Sequence, residues 1–150
     1  MMQPRMIDDE ITLVPYYPNE EVALAWYQDA DVCKQVDNID HPYSIERLRA
    51  MYGYLSTHGD CYYIRYRDQL VGDVSLRDSG EIAIVICKAY QNRQIGVRCI
   101  RDMLALAREK GFAQVKANIY AFNTQSQRAF GKAGFHPIGE EWYAYDLPPG

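Results

Sequence analysis

The segment from Lys88 to Gly96 is polar and leads from an apolar strand directly into a long helix. The first four backbone N–H groups of a helix have no intrahelical partner and carry partial positive charge. Gln91, Asn92 and Arg93 add donors to the turn, and Gly96 would let the backbone approach a phosphate group closely. These residue types at this spacing predict a site for a phosphorylated ligand. A plain strand-to-helix connection is the alternative for this segment taken alone.

Two further features add to this site. Asn123 stands at the end of a predicted strand and at the start of a helix, so it could cap the helix or reach a ligand between two strands. Arg93 and Arg98 could screen a second phosphate group.

The composition bounds the class of protein. The 150 residues predict a single domain spanning 1–150, with 48% hydrophobic and 24% charged residues and a net charge of -4. No basic run or stripe predicts a nucleic-acid partner. The longest unbroken apolar run, Ile82 to Cys87, is far shorter than the roughly 20 residues that a membrane span needs. Because the first ten residues lack the apolar core of a signal peptide, we expect a cytoplasmic protein.

The cysteines and histidines do not predict a metal site. Four cysteines occur without a CxxC pair, and no histidine has zinc-ligand spacing. We therefore expect buried, reduced thiols and no metal.

The elements that must position the phosphate turn can be predicted from periodicity and caps. In the N-terminal half we expect a strand, a helix, a short helical turn, a loop and a longer helix, at residues 11–16, 19–27, from 29, 35–43 and 44–56. In the C-terminal half we expect three meander strands, a long helix, a strand, a helix and a last strand before a PPG tail, at residues 61–66, 70–76, 81–87, 95–110, 114–121, 123–133 and 142–147. The near-continuous apolar run at 81–87 predicts a strand that is buried on both faces.

The two strand–helix units together resemble the GCN5-related N-acetyltransferase (GNAT) superfamily. Its cofactor motif is Gln or Arg, two residues, Gly, one residue, then Gly or Ala. The matching segment here begins at Gln91 and ends at Gly96, with Gln94 in place of the first glycine. The family's second signature is matched by a later set of residues: Asn123, Ser126, Phe130, Lys132, Gly134 and Phe135. The resemblance spans nearly the whole chain, and the N-terminal half is similar to the branch that includes ribosomal-protein N-terminal acetyltransferases.

This resemblance implies a mixed α/β (α+β) fold with a central, mostly antiparallel sheet of about six or seven strands, flanked by about four or five helices. It implies that the sheet is splayed between strands 81–87 and 114–121, and that acetyl-CoA binds in the V-shaped gap as a co-substrate. The main-chain groups implied for the pantetheine arm are those of Val85, Ile86 and Cys87, with a bond from Asn123. The pyrophosphate would be held by the N–H groups of consecutive residues, namely Gln91, Asn92, Arg93, Gln94, Ile95, Gly96 and Val97. Phe130 would pack near the thioester.

Acetyl transfer to an amine requires a base, donors for the developing oxyanion and an optional acid for the leaving thiolate. Glu81 is the candidate base, because some family members place a carboxylate near this strand start, although a solvated surface role is the alternative. A strand N–H near Ile86 is the candidate oxyanion donor. Many members have Tyr at the position of Phe130, which cannot donate a proton. The thiolate therefore leaves without a dedicated acid, or another tyrosine serves, for which Tyr143 is the candidate before Tyr120 and Tyr90.

The expected activity is N-acetyl transfer from acetyl-CoA to a primary amine of a small molecule or a protein N-terminus. The acidic and aromatic loop at 37–43 would suit a cationic amine, or it is simply a solvated loop. A catalytically weak acyl-CoA-binding or sensing module is the main alternative, and an unrelated α/β nucleotide binder is another. A homodimer is an assembly that the resemblance allows.

Overall fold

Five antiparallel strands form the larger of two sheets in the computed structural model, which describes residues 2–148. Their order in the sheet follows the chain: β1 (Arg5–Met6), β2 (Ile11–Pro15), β3 (Gly59–Tyr66), β4 (Gln69–Arg77) and β5 (Ile82–Ile86). The smaller sheet holds three antiparallel strands, with β8 (Trp142–Asp146) between β6 (Gln114–Asn118) and β7 (His136–Gly139). The fold is therefore mixed α+β and mostly antiparallel, as predicted.

Helices cover both faces of the larger sheet. Three precede β3 in the chain: α1 (Glu20–Trp26), α2 (Ala30–Asp37) and α3 (Ile45–Thr57). A 3-10 turn at Lys88–Tyr90 leads to α4 (Ile95–Lys110), and α5 (Thr124–Lys132) follows β6.

Local sequence sets most helix ends. The Asp29 side chain accepts hydrogen bonds from two backbone N–H groups at the start of α2, and Ser44 accepts one at the start of α3. Gly111 ends α4 in the left-handed conformation that glycine adopts without steric cost. The helix ends at 95, 110 and 124 lie within one residue of their predicted positions.

The turn of the β3–β4 hairpin consists of Arg67 and Asp68, with φ angles of 46° and 69°. Two successive positive φ angles are typical of the tight turns whose twist matches that of antiparallel strands. The turn therefore fixes the register in which Tyr66 lies opposite Gln69.

Two apolar cores lie on opposite faces of the larger sheet. The first contains the buried stripe of α4, including Ile95, Ile100 and Met103, together with Phe130 of α5. The second lies under α1, α2 and α3 and is rich in tyrosine, with Tyr27, Tyr43, Tyr52 and Tyr63 all buried.

Two features differ from the sequence prediction. The α2 helix continues to Asp37, so the predicted loop at 35–43 begins only at Asn38, because Val36 extends the apolar face of the helix. The described strands number eight instead of six or seven within residues 2–148, because β1 and β7 are short and carry no apolar alternation. The predicted tail begins at Pro148, and its last two residues, 149 and 150, lie outside the described part of the chain.

No helix within residues 2–148 is both long and apolar enough to cross a membrane.

Candidate functional site

A cleft opens where the two sheets separate. The residue just before β5, Glu81, forms one parallel bridge with Lys116 of β6, and the Lys116 N–H donates to the Gly80 carbonyl at 2.9 Å. Beyond this point the strands diverge and leave a cavity of about 390 Å³. Its walls are β5, the turn before α4, the end of β6 and one face of α5. The splay therefore lies between the two strands for which it was predicted.

The edge of β5 that faces the cleft carries free main-chain groups. The Cys87 N–H donates to the Val71 carbonyl of β4 at 2.8 Å. Since paired residues in an antiparallel ladder alternate, Val85 also directs its main chain toward β4, whereas Ile84 and Ile86 direct theirs toward the cleft. The Gln91 amide donates to the Ile86 carbonyl from this side at 2.9 Å.

This register corrects the predicted set of strand contacts. The main chain of Ile86 faces the cleft, whereas that of Val85 faces β4. Cys87 uses its N–H for the Val71 carbonyl and its carbonyl for the Tyr90 N–H. Val85 lines the cleft while packing in the tyrosine-rich core, and Cys87 does not line the cleft. Ile84 was missed, because a sequence without strand pairing does not tell which residues of a strand face a given edge.

The cleft also explains why β5 is only partly buried. Ile82 and Val85 are buried, while Ala83, Ile84 and Ile86 are partly exposed. The predicted burial on both faces is thus wrong for these three residues, because β5 borders an open cleft instead of a sixth paired strand.

The turn before α4 has a glycine-like backbone without glycine. Asn92 and Gln94 both have φ of 64°, in the left-handed region that side chains disfavour. Gln94 is the first residue flanking α4, and its side chain makes no capping bond. The family's missing glycine is therefore replaced by a residue that keeps the conformation glycine would take.

The first turn of α4 presents bare backbone to the cleft. The N–H groups of Ile95, Gly96 and Val97 precede the first intrahelical bond, which the Arg98 N–H donates to the Gln94 carbonyl. A Cβ atom added at Gly96 would lie 3.6 Å from the Ile86 Cδ1 atom and 3.9 Å from the Ala129 Cβ atom. A methyl group would fit there, and a longer side chain would enter the cleft.

The cleft is electrostatically positive although the whole chain has a net charge of -4. Within residues 2–148, Arg93, Arg128 and Lys132 line it, and no carboxylate does. None of these three cations forms an ion pair with a described residue. A cleft with this charge favours an anionic ligand.

Arg98 does not contribute to this charge. Its guanidinium donates to Asp8 at 2.9 Å and to Glu10 at 3.0 Å. The pKa of Glu10 is lowered by Arg67 first and by Arg98 second, and the pKa of Asp8 is lowered, against the effect of burial, by backbone N–H donors and Arg98. The prediction that Arg98 screens a second phosphate group is corrected, because its charge is paired with these two carboxylates and it does not line the cleft.

Asn123 and Phe130 line the cleft from the side of α5. The Asn123 Oδ1 atom accepts from the Ser126 N–H at 3.2 Å, and its Nδ2 atom donates to the Ser126 hydroxyl at 3.1 Å. One amide proton remains beyond these bonds, so the same side chain caps the helix and can serve a ligand. Phe130 is buried edge-to-face against Phe135, with ring centroids 5.0 Å apart.

Glu81 and Tyr143 are not brought into the cleft. The Glu81 carboxylate lies 3.4 Å from the Arg77 guanidinium, at the point where the two sheets touch. Tyr143 lies on β8 opposite Ala117 and is half-buried against the main core. Their catalytic roles stay predictions.

The other candidate tyrosines are placed differently. Tyr90 lines the cleft, but its hydroxyl donates to the Gln69 side chain at 2.7 Å. Burial, followed by the charges of Asp37 and Glu141, raises the pKa of Tyr120. Asp37 itself accepts from the Tyr43 hydroxyl and from the Arg47 guanidinium, so one acid of the predicted acceptor loop is already engaged.

Asp73 is a buried carboxylate that the sequence analysis missed. It lies on β4 and accepts from the Tyr27 hydroxyl at 2.7 Å and from the Tyr52 hydroxyl at 2.8 Å. Burial raises its pKa to about 6, although both hydroxyls act in the opposite direction. An acid in the middle of an otherwise apolar strand was the signal that could have found it.

In residues 2–148, no group of three or more His, Cys, Asp or Glu side chains is arranged to hold a metal ion.

The fold is shared with solved structures of other proteins. A domain from Methanocaldococcus jannaschii superposes with a TM-score of 0.80 at 21% identity, over 93% of this chain and 100% of that one. The structure of AAC(6')-Ib in complex with ribostamycin and coenzyme A has a TM-score of 0.79 at 12% identity, over 92% and 94% of the two chains. The ribosomal L7/L12 alpha-N-protein acetyltransferase RimL in complex with coenzyme A has a TM-score of 0.75 at 13% identity, over 97% and 98%.

No curated protein matches the sequence. The family model of the acetyltransferase (GNAT) domain matches residues 10–136, which include β2, every helix and the whole cleft. The resemblance seen in the sequence is thereby confirmed, and so is an acyltransferase at the level of the family. This chain belongs to the acetyltransferase (GNAT) domain family.

Proposed function

We propose that this protein is an N-acetyltransferase that transfers the acetyl group of acetyl-CoA to a primary amine of a small molecule or a protein N-terminus. The observation that carries the proposal is the charge of the cleft. Arg93, Arg128 and Lys132 line it without a carboxylate among the described residues, beside the free N–H groups that begin α4. This combination suits a ligand with several phosphates.

The groups that line the cleft can be matched to successive parts of coenzyme A. The bare backbone from Ile95 to Val97 and the left-handed turn before it would hold the pyrophosphate. The main-chain groups of Ile84 and Ile86 would pair with the amides of the pantetheine arm, and Asn123 would add a side-chain contact. Acetyl-CoA supplies an acetyl group activated as a thioester.

The chain's own contribution to catalysis is position and polarity. The Ile86 N–H points into the cleft, where it can stabilise negative charge on an oxygen. Glu81 stays the proposed base, and it would act directly or through water once its contact with Arg77 opens. Holding two reactants in line contributes much of the acceleration in reactions of this kind.

Two structural neighbours support the two acceptor classes in the proposal. One is an acetyltransferase of a ribosomal protein α-amine, and the other was solved with ribostamycin. At 13% and 12% identity they share the fold, so the acceptor itself has to be found by assay.

Binding and turnover test the proposal separately. We expect acetyl-CoA to raise the melting temperature, and ATP and NAD to leave it unchanged. We then expect the protein to release free thiol from acetyl-CoA in the presence of an amine, which is sought in a panel of polyamines, aminoglycosides and peptides with free N-termini. Stabilisation by ATP or NAD and not by acetyl-CoA would contradict the choice of ligand.

A catalytically weak acyl-CoA-binding or sensing module is the second candidate. It is favoured by Phe130, which lies in the cleft without a proton to donate, and by the engaged hydroxyl of Tyr90. Tight binding of acetyl-CoA with no thiol release from any amine would support it over the enzyme.

A further inference from the structure

Four side-chain amides form a connected network at the mouth of the cleft. The Gln91 Nε2 atom donates to the Gln35 Oε1 atom at 3.0 Å, and the Gln35 Nε2 atom donates to the Gln125 Oε1 atom at 3.3 Å. The Gln125 Nε2 atom then donates to the Asn92 Oδ1 atom at 3.3 Å. All four residues line the cleft.

The bond between Gln35 and Gln125 joins elements that pack on opposite faces of the larger sheet. Gln35 belongs to α2, which covers the tyrosine-rich core, and Gln125 belongs to α5, which covers the other core. β5 and β6 do not pair beyond Glu81 and Lys116, so this bond crosses the opening between them. A pantetheine arm that lies along β5 has to pass through the same opening.

The network also occupies the Ile86 carbonyl, with which the pantetheine arm would pair. Gln91 uses its Nε2 atom for the Gln35 side chain and for the Ile86 carbonyl. That carbonyl belongs to the strand edge at which the pantetheine amides would pair. Seating the arm therefore competes with the amide network for position and for a hydrogen bond.

The hydrogen bonds of the network are weak enough to break and form again reversibly. A neutral hydrogen bond changes an equilibrium by roughly fivefold to tenfold when both partners can return to water. Gln35, Gln91 and Gln125 are all half-exposed, so water can replace each partner. Two other contacts tie α2 to segments next to the cleft: the Lys34 Nζ atom lies 5.1 Å from the centre of the Phe122 ring, and Asp31 pairs with Lys88.

We propose that Gln35 gates the coenzyme cleft, and that its bridge from Gln91 to Gln125 must open before the pantetheine arm can seat along Ile84 and Ile86. This inference rests on the proposed function, since it assumes coenzyme A as the ligand. The sequence gives no sign of it, because the amides are separated by up to 90 positions.

The test compares association rates of acetyl-CoA with immobilised wild-type protein and with the variants Gln35→Ala and Gln125→Ala. Each variant removes the bond that crosses the opening. We expect association about fivefold faster for each, the factor of a single neutral hydrogen bond, with an unchanged dissociation rate. Because both changes remove the same bond, the double variant should be no faster than the faster single variant.

Gln114→Ala is the matched control. Its amide is also hydrogen-bonded, to Asp146 at 2.7 Å, but it does not line the cleft. Its association rate should equal that of the wild type, and circular dichroism should show that all variants are folded.

The outcomes separate the gate from the function. Binding by the wild type with equal or slower association in Gln35→Ala and Gln125→Ala overturns the gate and leaves the proposed function standing. No binding of acetyl-CoA by the wild type overturns both.

Discussion

The Asp73 carboxylate accepts a hydrogen bond from the Tyr27 hydroxyl at 2.7 Å in a region where neither side chain reaches solvent. Tyr52 donates to the same oxygen at 2.8 Å, so the end of α1 and the middle of α3 are both attached to β4. Val85 lies opposite Asp73 in the pairing of β4 and β5. The contact thus connects the helices of the tyrosine-rich core to the strand that borders the cleft.

Asp73 should make stability depend on pH. Its pKa of about 6 in the folded protein is above the ordinary value of 3.8, so the folded state binds this proton more tightly than the unfolded state does. The stabilisation is fully present below pH 3.8 and is lost as the pH rises through 6. Relative to Asp73→Asn, which does not titrate, the wild type should gain up to roughly 3 kcal/mol between pH 8 and the acidic limit. Urea unfolding of both proteins at several pH values measures the difference.

The comparison with Asp73→Asn cancels the contribution of the other carboxyls to the pH dependence of stability. Several surface acids have a lowered pKa and destabilise the fold on acidification, but they are present in both proteins. A stability difference that does not change with pH would contradict the raised pKa.

Gly96→Asp should weaken coenzyme A binding by about tenfold or more, because it places a carboxylate beside the phosphates. An acidic residue in the first turn favours the α4 helix, so the loss would not come from unfolding. Calorimetry at low and high salt measures it, and the loss should shrink as salt screens the repulsion.

Gly96→Ala is the control for that change. The added methyl group finds ordinary contact distances of 3.6 and 3.9 Å, so its affinity should stay near that of the wild type. Equal affinities for the aspartate and alanine variants would show that phosphates do not lie at this turn.

Gln94→Gly should be more stable than Gln94→Ala by about 0.5–1 kcal/mol. A residue with a Cβ atom is disfavoured by about 1–2 kcal/mol at a left-handed position such as φ 64°, and the greater freedom of glycine in the unfolded chain offsets part of this. Urea unfolding of the two variants tests it. If the alanine variant were equally stable, the left-handed conformation would be wrong.

Glu81→Gln should lower the acetylation rate, mostly at low pH, where more of the amine is protonated and needs a base. A general base contributes roughly 100-fold or more. The control is Arg77→Gln, which removes the partner of Glu81 and keeps its carboxylate. Steady-state rates across pH decide the matter, and unchanged kinetics in Glu81→Gln would remove this residue from the mechanism.

The elements with strong local signals were predictable. The long helix at 95–110, the cap at Asn123 and the strands at 61–66 and 70–76 follow from periodicity and capping side chains, which act over a few positions. The end of α2 was not predictable, because Asn38 ends that helix in a left-handed conformation without a glycine.

Some features of the candidate site were likewise predictable from the sequence, and others were not. The sequence by itself determined the polar turn before α4, with Gly96 in the first turn of the helix, and it determined the family, because these depend on short, contiguous motifs. Only the tertiary structure decided which strand edge faces the cleft, that Arg98 pairs with Asp8, and that Glu81 lies outside the cleft walls. These are contacts between residues far apart in the chain, and their geometry is set by sheet register and packing, to which a local pattern gives no access.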